Sequence, residues 1–379
     1  MPIYKVDGIK KDGLQKYNVR VNYVDNTGKP RQPTRTAYGL EAAKKLESEL
    51  LQTLGLEGNL AKKITFKQLY DEFIASKEVR EITIREYENT IRNYILPYFE
   101  KTRIDKITAK SLQDWKDSLN EKPLLISTKQ SAYTKFKTIL KYAVKMEYLQ
   151  KSPISKIETF KDNSLIKKEM DYYTVDEFKV FIKAAKQYAE DACSKGYSLR
   201  EWDYYVFFCI AFYTGLRKSE ILALRWDRID GAFLSVKEAI VQNLNGKRDV
   251  IGPPKSKSAI RTIQIPVVLM RILNEHKQRQ IQLGHFKESF FVCGGEETIH
   301  AHTARLRKIK YAEMAGLKDI RTHDFRHSHV SVLVNEKINI VEISRRLGHS
   351  KVEITWNTYS HMYPRENEKA AEVFDLLAA

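Results

Sequence analysis

The sequence predicts a mainly α chain with small β-sheets, an α+β architecture in three parts. Three observations carry this reading. Strand-period alternation is confined to a short N-terminal stretch and to brief segments after residue 230, apolar residues at helical spacing dominate elsewhere, and capping boxes mark where helices begin.

Residues 1–60 read as a small sheet plus one helix. Tyr17, Val19, Val21 and Tyr23 alternate with Lys16, Asn18, Arg20 and Asn22, which gives a strand one apolar and one polar face. Asp12-Gly13 and Asn26-Thr27-Gly28 punctuate as turns, a third strand is expected at 31–37, and 40–54 repeats at helical spacing. Up to residue 65 this part holds twelve Lys and Arg against seven Asp and Glu, and Lys62-Lys63 follows a Gly-containing linker.

Residues 65–155 read as all helix. Thr65-x-x-Gln68 and Thr83-x-x-Glu86 have the form of capping boxes, followed by the stripes Leu69, Tyr70, Phe73 and Tyr87, Ile91, Tyr94, Ile95. Trp115 and Leu119 mark a third helix; Phe136, Leu140, Ala143 and Val144 mark a fourth that ends before Pro153. The polar, basic stretch 156–168 reads as a linker. In 172–379 helices surround an inserted sheet: Thr174-x-x-Glu177 opens a helix, 204–213 is apolar enough for a core helix, and strands are expected at 233–236, near Ile240 and at 261–265. Beyond Pro364, 366–377 reads as an amphipathic helix with Ala370, Val373, Phe374 and Leu377 on one face.

The formal charge is +17 and the pI near 9.4, which points to a polyanionic partner, nucleic acid first. Cys193, Cys209 and Cys293 are far apart and odd in number, so no disulfide framework or zinc site is expected and a reducing cytoplasm fits. The N-terminus lacks an apolar h-region and no run approaches transmembrane length, so no membrane association is expected.

Four short words hold the candidate chemistry: Thr-Gly-Leu-Arg217-Lys-Ser-Glu220, His323-Asp-Phe-Arg326, Leu-Gly-His349 and Thr-Tyr359-Ser-His. A phosphodiester in transfer gains negative charge on its non-bridging oxygens, and preorganised arginines are the best donors to it. Glu220 follows Arg217 by one helical turn and His323 precedes Arg326 by one, so each pair shares a face. A phenol of pKa ~10 needs help to attack, which nearby cations supply by favouring the phenolate. Tyr363 is the competing hydroxyl. His323 and His327 stand at a spacing that can hold a metal, but no Glu lies between them in HExxH order and no third ligand follows, so His327 and His329 read as structural or surface groups. With no Walker motif and no Asp/Glu cluster, no metal, nucleotide or other cofactor is called for.

These words, in this order, resemble the tyrosine recombinase (lambda-integrase-like) family, most of all the phage and conjugative-transposon integrases. The resemblance implies a tyrosine-recombinase catalytic domain in 172–379, a helical SAM-like core-binding domain in 65–155 and an arm-type DNA-binding domain in 1–60. It implies that Arg217 and Arg326 clamp the scissile phosphate, Glu220 orients the site, His323 donates or shuttles a proton, and His349 donates to the phosphate. Tyr359, ten residues after His349, would be the nucleophile of a 3′-phosphotyrosyl link. The family's lysine, which protonates the leaving 5′ oxygen, matches Lys255 best, with Lys257 as the alternative. Lys257, Arg20, Arg31 and Arg35 are the candidate DNA contacts. The implied partners are double-stranded DNA at core and arm sites, a homo-tetramer on that DNA, an excisionase and a host DNA-bending protein, in a bacterial cytoplasm. The family commonly passes a terminal helix such as 366–377 to a neighbouring protomer. The rival readings are a Xer-type resolvase, against which the basic N-terminal part argues, a type IB topoisomerase, and a non-catalytic DNA-binding regulator.

Overall fold

The computed structural model describes residues 3–24, 30–53, 64–162, 170–195, 200–241, 250–254 and 256–362, and the chain forms two compact units, Met1–Leu165 and Ile166–Ala379. No helix among the described residues is long and apolar enough to cross a membrane. The terminal helix expected at 366–377 and Tyr363 lie outside the described residues.

The first unit opens with strands β1 (Ile3–Lys11), β2 (Leu14–Arg20), β3 (Tyr23–Val24), β4 (Pro30–Arg31) and β5 (Thr34–Tyr38). β1, β2 and β5 form one antiparallel sheet in the order β1-β2-β5, and β3 pairs with β4. The single strand expected at 31–37 is therefore two, broken where Pro33 has no N–H to give a ladder. Helix α1 (Leu40–Thr53) covers one face, burying Ala43 with Val19 and Ala37. The register pairs Val19 with Arg35 and Arg20 with Thr34, so Arg35 shares the helix-covered face and Arg20 lies on the open one.

Helices α2 (Phe66–Ala75), α3 (Glu81–Tyr94), α4 (Leu96–Phe99), α5 (Ala109–Asn120) and α6 (Ile126–Lys145) follow. The Thr65 capping box forms, with Gln68 N donating to Thr65 Oγ1 at 3.3 Å and Thr65 N to Gln68 Oε1 at 2.9 Å. The Thr83 box does not, because α3 begins earlier, from Arg80, and Thr83 lies inside the helix. Phe136 is the hub, its ring 5.0 to 5.2 Å from those of Phe66, Phe99 and Trp115. Phe160 is buried against Trp115 and its carbonyl accepts from Gln130, so the chain stays packed well into the expected 156–168 linker.

The second unit contains α7 (Val175–Ser194), α8 (Glu201–Thr214), α9 (Lys218–Leu222), β6 (Ile229–Asp230), β7 (Phe233–Val236), β8 (Ala239–Val241), β9 (Val250–Gly252) and β10 (Arg261–Gln264). It continues with α10 (Val267–Gln282), α11 (Ala301–Ala315), α12 (Asp324–Asn335), α13 (Ile340–Leu347) and α14 (Val352–Tyr359). β10, β7 and β6 pair in that order, and β8 with β9. α8 is apolar around nearly its whole circumference and runs through the core, where Phe178 stacks on Phe212 at 3.7 Å and Phe208 meets Phe325 at 5.1 Å.

One histidine fixes how these helices meet. α8 ends at Gly215 with φ of 65°, and a Cβ there would stand 2.6 Å from the His329 ring. His329 Nδ1 donates to the Phe212 carbonyl at 2.8 Å, and its Nε2 accepts from Arg346 Nε at 3.0 Å. Arg346 also donates to the carbonyls of Gln264 and Tyr213. This pair ties α8, β10, α12 and α13 together and so positions the loops that follow α8 and α13. His329 is only 6% exposed, and burial, with Arg346 beside it, pulls its pKa down to about 3.

The folded state thus holds His329 neutral, whereas the unfolded chain protonates it below a pKa of about 6.5. Its contribution to stability is full above that pH and is lost as pH falls toward 3. In denaturant titrations between pH 6 and pH 4, His329→Asn should make unfolding free energy fall less steeply than wild type by about 1.4 kcal/mol per pH unit. Parallel slopes would mean that His329 is not held neutral in the fold.

Candidate active site

Three chain turns build a cleft of about 290 Å³ in the second unit. The turn after α8 brings Arg217, the start of α12 brings His323, Arg326 and His327, the turn from α13 into α14 brings Gly348, His349 and Ser350, and the far end of α14 brings Thr358 and Tyr359. Ser256, from the segment before β10, also lines it. Gly348 has φ of 67°, and a Cβ there would stand 2.9 Å from Arg261 Nη1 and 3.0 Å from the Ser258 carbonyl. Glycine at this point lets the 256–259 segment close against the cleft.

Arg326 is 2% exposed, and among the described residues no carboxylate lies within ion-pairing distance of it. Its Nη1 donates to the Gly215 carbonyl and its Nη2 to the Leu347 carbonyl, each at 2.8 Å, and Nη2 also lies 2.8 Å from His349 Nε2. Burial, reinforced by Arg217, pulls its pKa down to about 9, so it stays charged at neutral pH. His349 Nε2 accepts from Arg326, which leaves the proton on Nδ1 to donate to Thr355 Oγ1 at 2.7 Å. Burial and then Arg326 lower the His349 pKa to about 4. In this arrangement His349 supports Arg326, and it would face a phosphate as a donor only after that bond is exchanged.

Arg217 caps α9, donating from Nη1 to Glu220 Oε1 at 2.9 Å and from its backbone N to Oε2 at 3.0 Å. Arg261 also donates to Glu220, at 3.0 Å to Oε2. Arg261 also donates to the carbonyls of Arg346 and Ala259. Burial alone would raise the Glu220 pKa, but Arg261 first and Arg217 next outweigh it and hold the carboxylate below its usual range. Arg261, its side chain 7% exposed and central to this network, was read in the sequence only as a strand residue.

Tyr359 is 2% exposed, and its hydroxyl lies 2.7 Å from His327 Nδ1. Its pKa is pushed up to about 12 because burial outweighs the pull of Arg326. The phenolate that nearby cations were expected to favour is therefore not the resting state. His327, read as structural or surface, instead contacts this hydroxyl. The signal in the sequence was its place one turn after His323, directly behind Arg326. His323 sits exposed at the rim, its ring 5.2 Å from that of His327; lost hydration and then Arg326 lower its pKa.

Lys255 lies outside the described residues, and Lys257 is exposed at the head of a short 3-10 turn, Lys257–Ala259. Arg20, Arg31 and Arg35 belong to the first unit and do not form one patch: Arg20 lies over the Tyr4 ring on the open sheet face, Arg35 is on the opposite face, and Arg31 is on the β3–β4 ribbon. Among the described residues no group of His, Cys, Asp and Glu could hold a metal ion. The cleft gathers guanidinium groups around space for one phosphate, with a phenol in its wall.

Residues 173–366 match the phage integrase family, and residues 65–120 match the phage integrase N-terminal SAM-like domain. The ICEBs1 integrase of Bacillus subtilis (strain 168) is 28% identical over 375 residues, spanning 96% of this chain and 98% of that protein. The fold is shared with the Tn1549 transposon integrase in complex with transposon right end DNA, at a TM-score of 0.65 and 19% identity over 83% of this chain and all of that one. It is shared as well with a lambda integrase tetramer bound to a Holliday junction, at a TM-score of 0.54 and 16% identity over 92% and 96% of the two chains. With its motifs gathered in one cleft and its length matched almost end to end, the chain belongs to the phage integrase family of tyrosine recombinases.

Proposed function

We propose that this chain is the integrase of an integrative mobile element or phage, breaking and rejoining DNA through Tyr359. One observation carries the reading: the described lining of the cleft includes two arginines, three histidines and a tyrosine, and no carboxylate. Such a lining suits a phosphodiester and a hydroxyl nucleophile, and suits a hard divalent cation poorly.

Arg326 and Arg217 hold the non-bridging oxygens of the scissile phosphate, and Glu220 aims Arg217. Tyr359 attacks phosphorus and forms a 3′-phosphotyrosyl link, and the 5′ oxygen departs with a proton from Lys255 or Lys257. A free 5′-hydroxyl then attacks that link and frees Tyr359, so no external energy source is consumed. The helical part, 65–155, contacts core DNA, and residues 1–60 hold separate arm sites, with Arg20 and the open face of the sheet as the better candidate surface. The assembly is a tetramer on two duplexes, in a bacterial cytoplasm, with an excisionase and a DNA-bending protein as helpers. The near full-length likeness to the ICEBs1 integrase supports the integrase role over that of a Xer-type resolvase.

The test is a nicked suicide duplex carrying the junction that cells expressing the chain form between the element's joined ends. Wild type should become covalently attached to it, in excess EDTA as well. Tyr359→Phe should bind but not attach, and Arg217→Lys should attach about 10²–10³-fold more slowly, because lysine loses the planar fork. Normal attachment by Tyr359→Phe, or loss in EDTA, would overturn the reading.

Deleting residues 1–60 should leave attachment at the core junction intact and impair integration into a target. An identical DNA footprint with and without that segment would remove the arm-binding role.

A further inference from the structure

We infer that His327 is the proton acceptor for the Tyr359 hydroxyl, and so a catalytic residue of the strand-transfer step. The inference rests on the integrase reading of this cleft and assigns a role to a side chain the family's motif words do not use.

The geometry comes first. Tyr359 is buried, and the hydrogen-bonding partner of its hydroxyl in the described structure is His327 Nδ1, at 2.7 Å. No hydrogen bond joins His323 to Tyr359 among the described residues, although His323 lines the same cleft. His327 follows Asp324 by three residues on α12, which brings its other nitrogen, Nε2, to 3.9 Å from Asp324 Oδ1. That distance is too long for a hydrogen bond, but the carboxylate faces Nε2 and favours the tautomer with its proton there. Nδ1 is then the lone-pair side of a neutral ring, and the phenol donates to it. Asp324 is itself held by Arg321, from its backbone N and its guanidinium.

The electrostatics set the resting protonation states. Tyr359 must lose a proton it holds tightly, while His327 is kept neutral and able to accept one. Burial first, then His323, lowers the His327 pKa; Arg321 and Arg326 act the same way, and Asp324 opposes them. A neutral imidazole beside a protonated phenol is the pairing general-base catalysis needs, because the phenolic proton becomes acidic only as oxygen bonds to phosphorus.

The step balances. The Tyr359 oxygen forms its bond to phosphorus as its proton passes to His327 Nδ1. The bond from phosphorus to the 5′ oxygen breaks, and that oxygen leaves with a proton from the lysine at 255 or 257. On rejoining, the 5′-hydroxyl returns its proton to that lysine as it attacks, and the departing phenolate recovers its own from His327. Asp324 is placed to stabilise the transient imidazolium.

The test uses the full chain and the suicide duplex described above, on which wild type attaches through Tyr359; absence of attachment by wild type marks failure of the integrase reading, not of this inference. His327→Asn keeps an acceptor oxygen near the position of Nδ1 but cannot take up the proton. At pH 7 it should attach about 10²–10⁴-fold more slowly than wild type while binding the duplex normally. Between pH 7 and pH 9 its rate should rise with hydroxide, approaching tenfold per unit, while the wild-type rate stays nearly flat. Replacing Tyr359 by a trifluorotyrosine, whose phenol is far more acidic, should restore much of the loss. Attachment within a few-fold of wild type, or a loss that neither alkali nor the fluorinated phenol relieves, would overturn the inference. Nitrogen-15 NMR of histidine-labelled wild type tests it without substitution: Nδ1 of His327 must be unprotonated, and a proton fixed on Nδ1 would overturn it equally.

Discussion

The second unit is organised around a buried positive charge that has no carboxylate within ion-pairing distance among the described residues. Arg326 is held by two backbone carbonyls and a neutral histidine, and these satisfy its donors without cancelling its charge. Removing a guanidinium from water is costly, and carbonyl dipoles offset only part of that cost. The carbonyls come from residues 215 and 347, the ends of α8 and α13, and both ends are turned by glycines at positive φ. Placing Arg326 therefore requires the two glycines, the His329–Arg346 tie beneath them, and the close approach of the segment before β10. Under the proposed function, a phosphate entering this cleft would meet a charge already oriented and already desolvated, the condition under which a donor contributes most to a transition state.

The same low polarity sets the state of three other groups nearby. It keeps His349 and His327 neutral and Tyr359 protonated, so the resting protein is poised but not reactive. Glu220 is the exception that proves consistent with the rule, since two arginines bond to it and it stays ionised despite burial. The Glu220 carboxylate is thus hydrogen-bonded to Arg217 and Arg261, whereas Arg326 feels it only through space.

Much of this was legible in the sequence because much of it is local. The stripes at Leu69, Tyr70 and Phe73 and at Ile91 and Ile95 follow from period alone, and all five side chains are buried. The Thr65 and Thr174 boxes are reciprocal bonds within one turn, and both form. Thr83 misled because α3 starts earlier, at Glu81, without a side-chain cap. The motif words place Arg217, Arg326, His349 and Tyr359 in one cleft, because each word sits at a turn or a helix end. What the sequence did not disclose depends on packing between distant segments. Arg261 reaches Glu220 across 41 residues, and His327 on α12 meets Tyr359 at the end of α14 across 32. The direction of the Tyr359 pKa shift was misjudged for the same reason: nearby cations can be counted from motifs, whereas depth of burial cannot.

The claim that the cleft is built to present an unneutralised Arg326 to phosphate is tested most directly by thermal unfolding with orthovanadate, a mimic of phosphorus in transfer. A ligand that binds the folded state raises its melting point in proportion to RT ln(1 + [L]/Kd). The wild-type chain should gain stability progressively with vanadate, and Arg326→Met, folded by its circular dichroism, should gain none. Equal gains in the two proteins, or no gain in either, would contradict the account.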